Sequence, residues 1–260
     1  MSQGATQTNY DRLGTRFSNR SWAQNDEIAK PIRSLTSSLS GNRWLEVGSG
    51  AGDFTRILSG PGRDIVGLDL SIGMLHGART QVGLKSAVQG DVCRCPFESC
   101  TFDVVACRNV LKHCSDMSSA IVEMKRVCRS SGHLVVVESC VANELDRAFM
   151  NSVVAVTEPN QSPFLRPGEW VEALTDSRAR LVSSTTFTHQ VVSTPDYRVE
   201  QYGLSENQLE EHWKLFANAP EEIRGQKEIR QSSDGVLEFR LLWVAIVIQL
   251  MASPANSQEG

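Results

Sequence analysis

The stretch Trp44-Leu45-Glu46-Val47-Gly48-Ser49-Gly50-Ala51-Gly52-Asp53-Phe54-Thr55 decides the fold of this 260-residue chain. A short apolar run leads into three glycines at alternate positions, and a segment with helical character follows. This order predicts a strand, a tight turn and a helix, with Asp53 placed to cap the helix. Glycine permits backbone conformations that other residues avoid, and it lets a ligand approach the main chain closely. We therefore expect a ligand-binding loop at this point.

Strand-like and helix-like segments alternate around this loop as far as residue 138. Such an alternation predicts right-handed crossovers and a mostly parallel sheet with helices on both faces, which is an α/β fold. The predicted strands are Trp44–Val47, Asp64–Leu68, Ser86–Gln89, Phe102–Cys107 and His133–Glu138. The predicted helices between them are Phe54–Leu58, Ser71–Val82 and Asp116–Cys128.

The pattern changes after Glu138. Two long strand-like segments, Leu181–Val192 and Val236–Gln249, are separated by a helical segment, Ser205–Ala219. We expect this helical segment to be an insertion, not a crossover helix packed between the two strands. The two strands should therefore form an antiparallel pair at one edge of the sheet. Ahead of the first strand, helical spacing over residues 10–39 predicts two short helices, because Pro31 would kink or divide a single one.

Composition excludes several classes of protein. The formal net charge is -4 and no long basic stripe is present, so we expect no nucleic-acid partner. The longest apolar run, Leu241–Met251, is too short to span a bilayer, so we expect no stable membrane insertion. Residues 1–11 are polar, so we expect no signal peptide. An odd number of cysteines, seven, then favours reduced thiols in a cytoplasmic protein. Cys93-Arg94-Cys95 lacks the spacing of a zinc site, and we expect no metal.

The acids near the glycine loop indicate which ligand it binds. The third glycine comes one residue too early for the dinucleotide pattern, and Asp53 occupies that position. Asp53 and Glu46 would repel a pyrophosphate at the helix start, so the site favours a ligand without phosphate that can carry positive charge. Asp69, at the end of the second strand, can accept hydrogen bonds from both hydroxyls of a ribose. Asp91, after the third strand, can accept one from an adenine amino group.

Five segments together resemble the motifs of class I S-adenosylmethionine-dependent methyltransferases. The similarity runs from about residue 10 to residue 138 and is strongest to the type 11 branch, which includes proteins like the quinone-biosynthesis C-methyltransferases. The segments are Leu45–Gly52, Val66–Ser71 with Met74, Gly90–Val92 with Phe102–Val105, Asn109–Asp116, and Arg129–Leu134.

The resemblance implies a Rossmann-like, seven-stranded, mostly parallel sheet of order 3-2-1-4-5-7-6, in which strand 7 is antiparallel. It also implies a helical lid over residues 1–40 and a methyltransferase domain over residues 41–252 that binds S-adenosylmethionine. Acceptor-pocket insertions are expected at about 142–176 and 205–230, and a disordered tail over 253–260.

The same resemblance implies roles for individual residues. Backbone groups at Gly48 and Gly50 would contact the amino-acid part of the cofactor, in a loop organised by Glu46. Asn109 would lie near the methionine part, and Tyr10 would close over the cofactor. The complete predicted cofactor set is Tyr10, Glu46, Gly48, Ser49, Gly50, Asp69, Leu70, Met74, Asp91, Val92, Arg108 and Asn109.

Methyl transfer needs alignment and a dry pocket more than specialised catalytic groups. His113 follows the fourth strand and is the candidate general base, with orientation of the substrate as the alternative. We expect a small, apolar or aromatic acceptor, and the methylated atom can be oxygen, nitrogen or carbon. We also expect the protein to be a monomer or a homodimer and to act in secondary metabolism. Aromatic residues at helical spacing line either a pocket or a core. The predicted acceptor pocket comprises His113 and the aromatic residues Phe17, Trp22, Phe149, Phe164 and Trp213.

Other functional classes remain open at this stage. One is an enzyme of the same fold that uses the cofactor for non-methyl chemistry such as cyclisation. Another is a non-catalytic cofactor-binding protein, whose expected mark would be loss of Gly48, Gly50 or Asp69. A third is another nucleotide-binding Rossmann protein, which Asp53 and Asp91 disfavour. Glu138 could touch the substrate or cap the next helix.

Overall fold

The computed structural model describes residues 26–252 of the chain. The roles predicted for Tyr10, Phe17 and Trp22 lie outside the described residues, as do most of the predicted lid and the predicted tail, residues 253–260. Within 26–252, no helix combines the length and the apolar character that crossing a membrane requires.

A mixed sheet lies at the centre of the described chain. Its strands are β1 (Arg43–Val47), β2 (Asp64–Asp69), β3 (Ser86–Gln89), β4 (Phe102–Arg108), β5 (Cys128–Cys140), β6 (Ala179–Ser193), β7 (Arg230–Gln231) and β8 (Leu237–Leu250). The α-helices are α1 (Asp26–Thr36), α2 (Asp53–Leu58), α3 (Ile72–Val82), α4 (Met117–Val127), α5 (Glu144–Thr157), α6 (Pro167–Leu174), α7 (Pro195–Tyr202), α8 (Glu206–Ala217) and α9 (Glu221–Lys227).

The strands follow the order β3-β2-β1-β4-β5-β8-β6, and β7 pairs with β8. The first five are parallel, whereas β8 runs antiparallel to both β5 and β6. The predicted order is therefore confirmed: the seventh predicted strand is β8, because the two-residue β7 precedes it. This topology brings the carboxyl ends of β1 to β6 and the amino end of β8 to one edge of the sheet.

Both faces of the sheet are buried, which explains the continuous apolar runs of its central strands. In β1, Leu45 packs in the apolar cluster on the face covered by α4 and α6, while Trp44 packs on the opposite face against α1 and α2. A third cluster joins α5, α8 and α9 to the start of β8. Neighbouring residues of one strand thus pack against the helices on opposite faces of the sheet.

Three local features differ from the expectation. Asp53 does not cap α2: Gly52 occupies the N-cap position with φ 92°, and Asp53 is the first, buried residue of the helix. Pro31 lies inside the continuous helix α1. The short elements α7, α9 and β7 were not predicted, because two turns of helix or two residues of strand carry little periodicity.

Candidate cofactor and acceptor site

A cavity of about 400 Å³ opens at the sheet edge where the parallel strands end. Every predicted cofactor residue within 26–252 borders it, together with His113 and Phe164. The volume is within the usual range for small-molecule sites. The cavity-lining members of the predicted sets are Glu46, Gly48, Ser49, Gly50, Asp69, Leu70, Met74, Asp91, Val92, Arg108, Asn109, His113 and Phe164.

The glycine loop is held by β2. Asp69 accepts hydrogen bonds from the Gly50 amide through Oδ2 (2.8 Å) and from the Ser71 amide through Oδ1 (2.9 Å). Gly48 has φ +64°, and a Cβ there would run into the Val110 side chain. Among residues 26–252, beyond its chain neighbours, no atom would lie within 4 Å of a Cβ at Gly50. The loop therefore presents its main chain to a ligand.

Buried charges lie directly behind the loop. Glu46 is only 1% exposed and accepts a hydrogen bond from Thr55 Oγ1 at 2.5 Å. Burial raises the pKa of Glu46 to about 8, and the Asp53 and Asp69 charges add to the rise, while Thr55 and Arg108 oppose it. Burial also lowers the pKa of Arg108, against the attraction of Asp53 and Glu46. A cationic ligand in this part of the cavity would favour ionisation of the Glu46 carboxyl, which burial otherwise keeps protonated.

The loop after β3 forms another part of the cavity wall. Asp91 Oδ1 accepts a hydrogen bond from the Cys93 amide at 2.8 Å and so begins the 3₁₀ turn Val92–Arg94. Met74 is buried and also borders the cavity, and its amide donates to Ser71 Oγ. Asp69 and Asp91 thus hold the main chain of their loops, and both border the cavity.

These features fit the cofactor that the resemblance implies. The buried Ser49 hydroxyl has no hydrogen-bond partner among residues 26–252. The open cradle at Gly50 and the surrounding carboxyl groups match an amino acid joined through a sulfonium to a nucleoside. A buried polar atom without a partner is costly, so a polar ligand at Ser49 would be favoured.

The loop after β4 forms another part of the cavity wall. Glu138, in β5, is fully buried and accepts hydrogen bonds from the amides of Val110 (2.8 Å) and Leu111 (2.9 Å). Asn109 has φ +57°, and its Oδ1 accepts from the Ser139 amide at 3.4 Å. Glu138 thus fixes the backbone of the loop that carries His113, rather than capping α5, whose N-cap is Asn143.

His113 borders the cavity as a neutral imidazole. Burial, together with the nearby Lys112 charge, lowers the pKa of His113 to about 3. Its Nδ1 lies 3.8 Å from Glu158 Oε1. An imidazole with so low a pKa stays unprotonated at neutral pH and has little tendency to take up a proton.

Two of the predicted pocket aromatics lie elsewhere. Phe149 packs edge to face against Phe216 in the apolar cluster of α5, α8 and α9, with ring centroids 5.3 Å apart. Trp213 packs beside that cluster, with the Arg198 guanidinium 5.8 Å from its ring centroid. Neither residue borders the cavity. Helices α5 and α8 direct Phe149 and Trp213 toward the apolar cluster between them. The structure therefore does not place these two residues in the pocket predicted from the sequence.

Other residues take their place along the cavity. They come from the loop after β4, from β5, from α5 and the residue after it, and from β6, α7, α8 and β8. The topology determines which of these elements reach this edge of the sheet. One signal was available: Thr194 followed by Pro195 is a helix start, and Thr194 Oγ1 accepts from the Tyr197 amide at 3.1 Å. The added lining residues include Lys112, Ser139, Met150, Val153, Glu158, His189, Tyr197, Tyr202, His212 and Trp243.

Known proteins match this chain in sequence and in fold. Residues 45–136 match a family described as a methyltransferase domain, the type 11 methyltransferases. The malonyl-[acyl-carrier protein] O-methyltransferase of Serratia marcescens is 30% identical over 106 residues, which are 41% of this chain and 42% of that protein. The ubiquinone/menaquinone biosynthesis C-methyltransferase UbiE of Pseudomonas paraeruginosa is 35% identical over 108 residues, which are 38% of this chain and 42% of that protein. The chain thus spans about two-fifths of the length of these curated relatives.

A solved structure extends the likeness to the whole fold. A Bacillus halodurans C-125 protein of proposed methyltransferase activity superposes with a TM-score of 0.75, at 21% identity, over 86% of this chain and 99% of that chain. This likeness includes the strands after residue 138, which the family match leaves out. Together with that match it confirms the resemblance recognised in the motifs. Residues 45–136 of this chain are therefore a methyltransferase domain of the type 11 branch of class I S-adenosylmethionine-dependent methyltransferases.

Proposed function

We propose that this chain transfers a methyl group from S-adenosylmethionine to a small, apolar or aromatic acceptor. One observation carries the proposal. The glycine loop and the acids Glu46, Asp69 and Asp91, from successive strand ends, border one cavity that continues to an apolar wall formed by α5 and Phe164. A nucleoside-type site and an acceptor-type site therefore share one enclosed space.

The chain's own residues would position the two ligands. We assign the main chain of Gly48 and Gly50 to the amino-acid part of the cofactor, Asp69 to its ribose hydroxyls and Asp91 to its adenine amino group. When bound, S-adenosylmethionine supplies an electrophilic methyl group on a sulfonium. Apolar side chains such as Met150 exclude water, and exclusion with alignment accounts for much of the acceleration.

His113 orients the acceptor in this proposal. A neutral imidazole can accept or donate a hydrogen bond at the cavity wall, and its low pKa argues against a proton-abstracting role. Residues 142–176 and 205–230 are proposed to enclose the acceptor, in part through α5 and α8. We further propose a cytoplasmic protein, in keeping with seven free cysteines.

Calorimetric titration with S-adenosylmethionine tests the cofactor assignment. Asp69→Ala should weaken binding at least about tenfold, because two hydrogen bonds to a carboxylate are lost. Asp64→Ala is the matched control: Asp64 is an exposed aspartate at the other end of the same strand, and its replacement should leave the dissociation constant unchanged. Equal affinity in both variants, or no binding to the unsubstituted protein, would refute the proposal.

Product analysis separates methyl transfer from the two rival functions. A methyltransferase releases S-adenosylhomocysteine in step with a product heavier by one methyl group. A cyclising enzyme of this fold would bind the cofactor without consuming it, and a binding protein would form no product. Cofactor binding without S-adenosylhomocysteine release from a panel of phenolic, enolic and amine acceptors would favour those rivals.

A further inference from the structure

Lys112 is a buried cation at the acceptor end of the cavity. Its residue is 8% exposed, and its Nζ donates a hydrogen bond to Ser139 Oγ at 2.6 Å. The same ammonium lies 5.4 Å from the centroid of the Phe164 ring. Lys112, Ser139 and Phe164 all border the cavity. Since the Ser139 amide is also bonded to Asn109, the ammonium is linked to the residue expected beside the methionine part of the cofactor.

This ammonium lacks the close counter-ion that a buried lysine normally has. Lys227, also buried, forms an ion pair with Asp146 Oδ1 at 2.8 Å. Among residues 26–252, no carboxylate oxygen lies within 4.0 Å of Lys112 Nζ, and its one close oxygen belongs to a neutral hydroxyl. Burying an ammonium without a close anion is costly.

The two nearest acids compensate only in part. Burial lowers the pKa of Lys112, and the charges of Glu138 and Glu158 oppose that fall. Burial also raises the pKa of both carboxyls, that of Glu138 to about 7. One oxygen of Glu138 already accepts two backbone hydrogen bonds. His113 on the same loop is neutral. Burial raises the pKa of the nearby thiols of Cys114 and Cys140, so they are neutral as well. An anion that enters the cavity would therefore find a cation already desolvated and held in place.

We propose that Lys112 is an anion-binding residue that holds an acidic hydroxyl of the acceptor, a phenol or an enol, in its ionised form. The inference rests on the proposed function and names the acceptor class of the same site. In the ionisation, the oxygen–hydrogen bond breaks, the proton passes to water, and both electrons remain on the oxygen beside the ammonium. The charge suits methylation at that oxygen or at the conjugated carbon, and it disfavours amine acceptors, which gain nothing from a neighbouring cation.

Absorption spectroscopy with 4-nitrophenol tests the proposal without any methyl transfer, because the phenolate and the phenol absorb at different wavelengths. The apparent pKa of the bound probe should fall by about one unit or more in the unsubstituted protein. Lys112→Met should abolish the shift and weaken binding of the phenolate about tenfold, while Lys112→Arg should keep most of both. Lys85→Met, at an exposed lysine away from the cavity, is the matched control and should change neither.

A second probe separates charge from shape. 4-Nitroanisole has the same ring but no ionisable proton, so Lys112→Met should leave its affinity unchanged. Thermal unfolding should show that Lys112→Met is at least as stable as the parent, since it removes an unpaired buried charge. If that variant did not fold, Ser139→Ala would provide the test, because it keeps the charge but loses its anchor and should reduce the shift.

An unshifted probe spectrum in the unsubstituted protein, or a shift that survives in Lys112→Met, would overturn the inference. Calorimetry with S-adenosylmethionine on the same variants distinguishes this failure from failure of the proposed function. Retained cofactor binding with no effect on the probe removes the role of Lys112 alone. Absence of cofactor binding in every variant, including the parent, removes the proposed function instead.

Discussion

The buried carboxyl of Glu46 predicts how the stability of the unliganded protein depends on pH. The pKa of Glu46 is about 8 in the fold, against an ordinary value of 4.5 in an unfolded chain, because the group is buried. Below about pH 4.5 both states hold the proton. As the pH rises from there toward 8, the unfolded chain releases the proton while the folded chain retains it, so the folded state loses relative stability.

The size of this effect follows from the two pKa values. Each pH unit in the window costs about 1.4 kcal/mol, and the whole window costs about 5 kcal/mol. That is a large part of the 5–15 kcal/mol that typically separates folded from unfolded domains. Glu46→Gln is neutral at every pH and keeps an acceptor for the Thr55 hydroxyl, so its curve should lack this slope.

Urea unfolding of both proteins at a series of pH values provides the assay. The free energy of unfolding of Glu46→Gln should rise relative to the parent by about 4 kcal/mol between about pH 5 and pH 8. A constant offset from the unsatisfied amide group, of about 1–3 kcal/mol, does not affect this slope. Glu98→Gln, at an exposed glutamate, should follow the parent at all pH values. Parallel curves for Glu46→Gln and the parent would refute the reasoning.

Three substitutions test other parts of the structure. Gly48→Ala should lower the free energy of unfolding by about 1–3 kcal/mol in urea melts, because alanine is strained at φ +64° and its Cβ meets Val110; unchanged stability would contradict the loop geometry. Lys227→Met should cost about 3–5 kcal/mol, because the buried Asp146 carboxylate loses its cation. Adding Asp146→Leu should recover most of that loss in parallel melts, and no recovery would count against the ion pair. Phe149→Ala should cost about 3–5 kcal/mol of stability yet leave the calorimetric affinity for S-adenosylmethionine unchanged, and weakened binding would place its ring in the site after all.

The cofactor half of the site could be predicted because its determinants are local in sequence. Gly48 and Gly50 follow directly on an apolar strand, and Asp69 and Asp91 come at the ends of the next two strands. In a parallel sheet those ends meet at one edge whatever the remaining contacts are, so spacing alone brings the residues together. The strand order follows in the same way from alternating strands and crossover helices.

The acceptor half depends on contacts that no local pattern shows. Lys112 reads as a solvated charge in a loop, and its burial comes from Ser139, 27 residues away, and from Phe164. Phe149 and Trp213 have the helical spacing of a pocket wall, but Phe149 packs inside the apolar cluster of α5, α8 and α9 and Trp213 packs against that cluster. The error at Asp53 was smaller in scale: the positive φ of Gly52 let the glycine take the N-cap position itself.

The position of β8 has a consequence for the order in which the chain can fold during synthesis. β6 pairs along its whole length with β8, which follows it by about forty residues in the chain, and β8 alone joins β6 to β5. A ribosome that has just released Ala179–Ser193 therefore exposes a fifteen-residue strand with its partner not yet made. The parallel strands β1 to β5 can assemble earlier, so the edge of β5 stays open until Leu237–Leu250 emerges, and slowing translation across that interval should increase aggregation of the nascent chain.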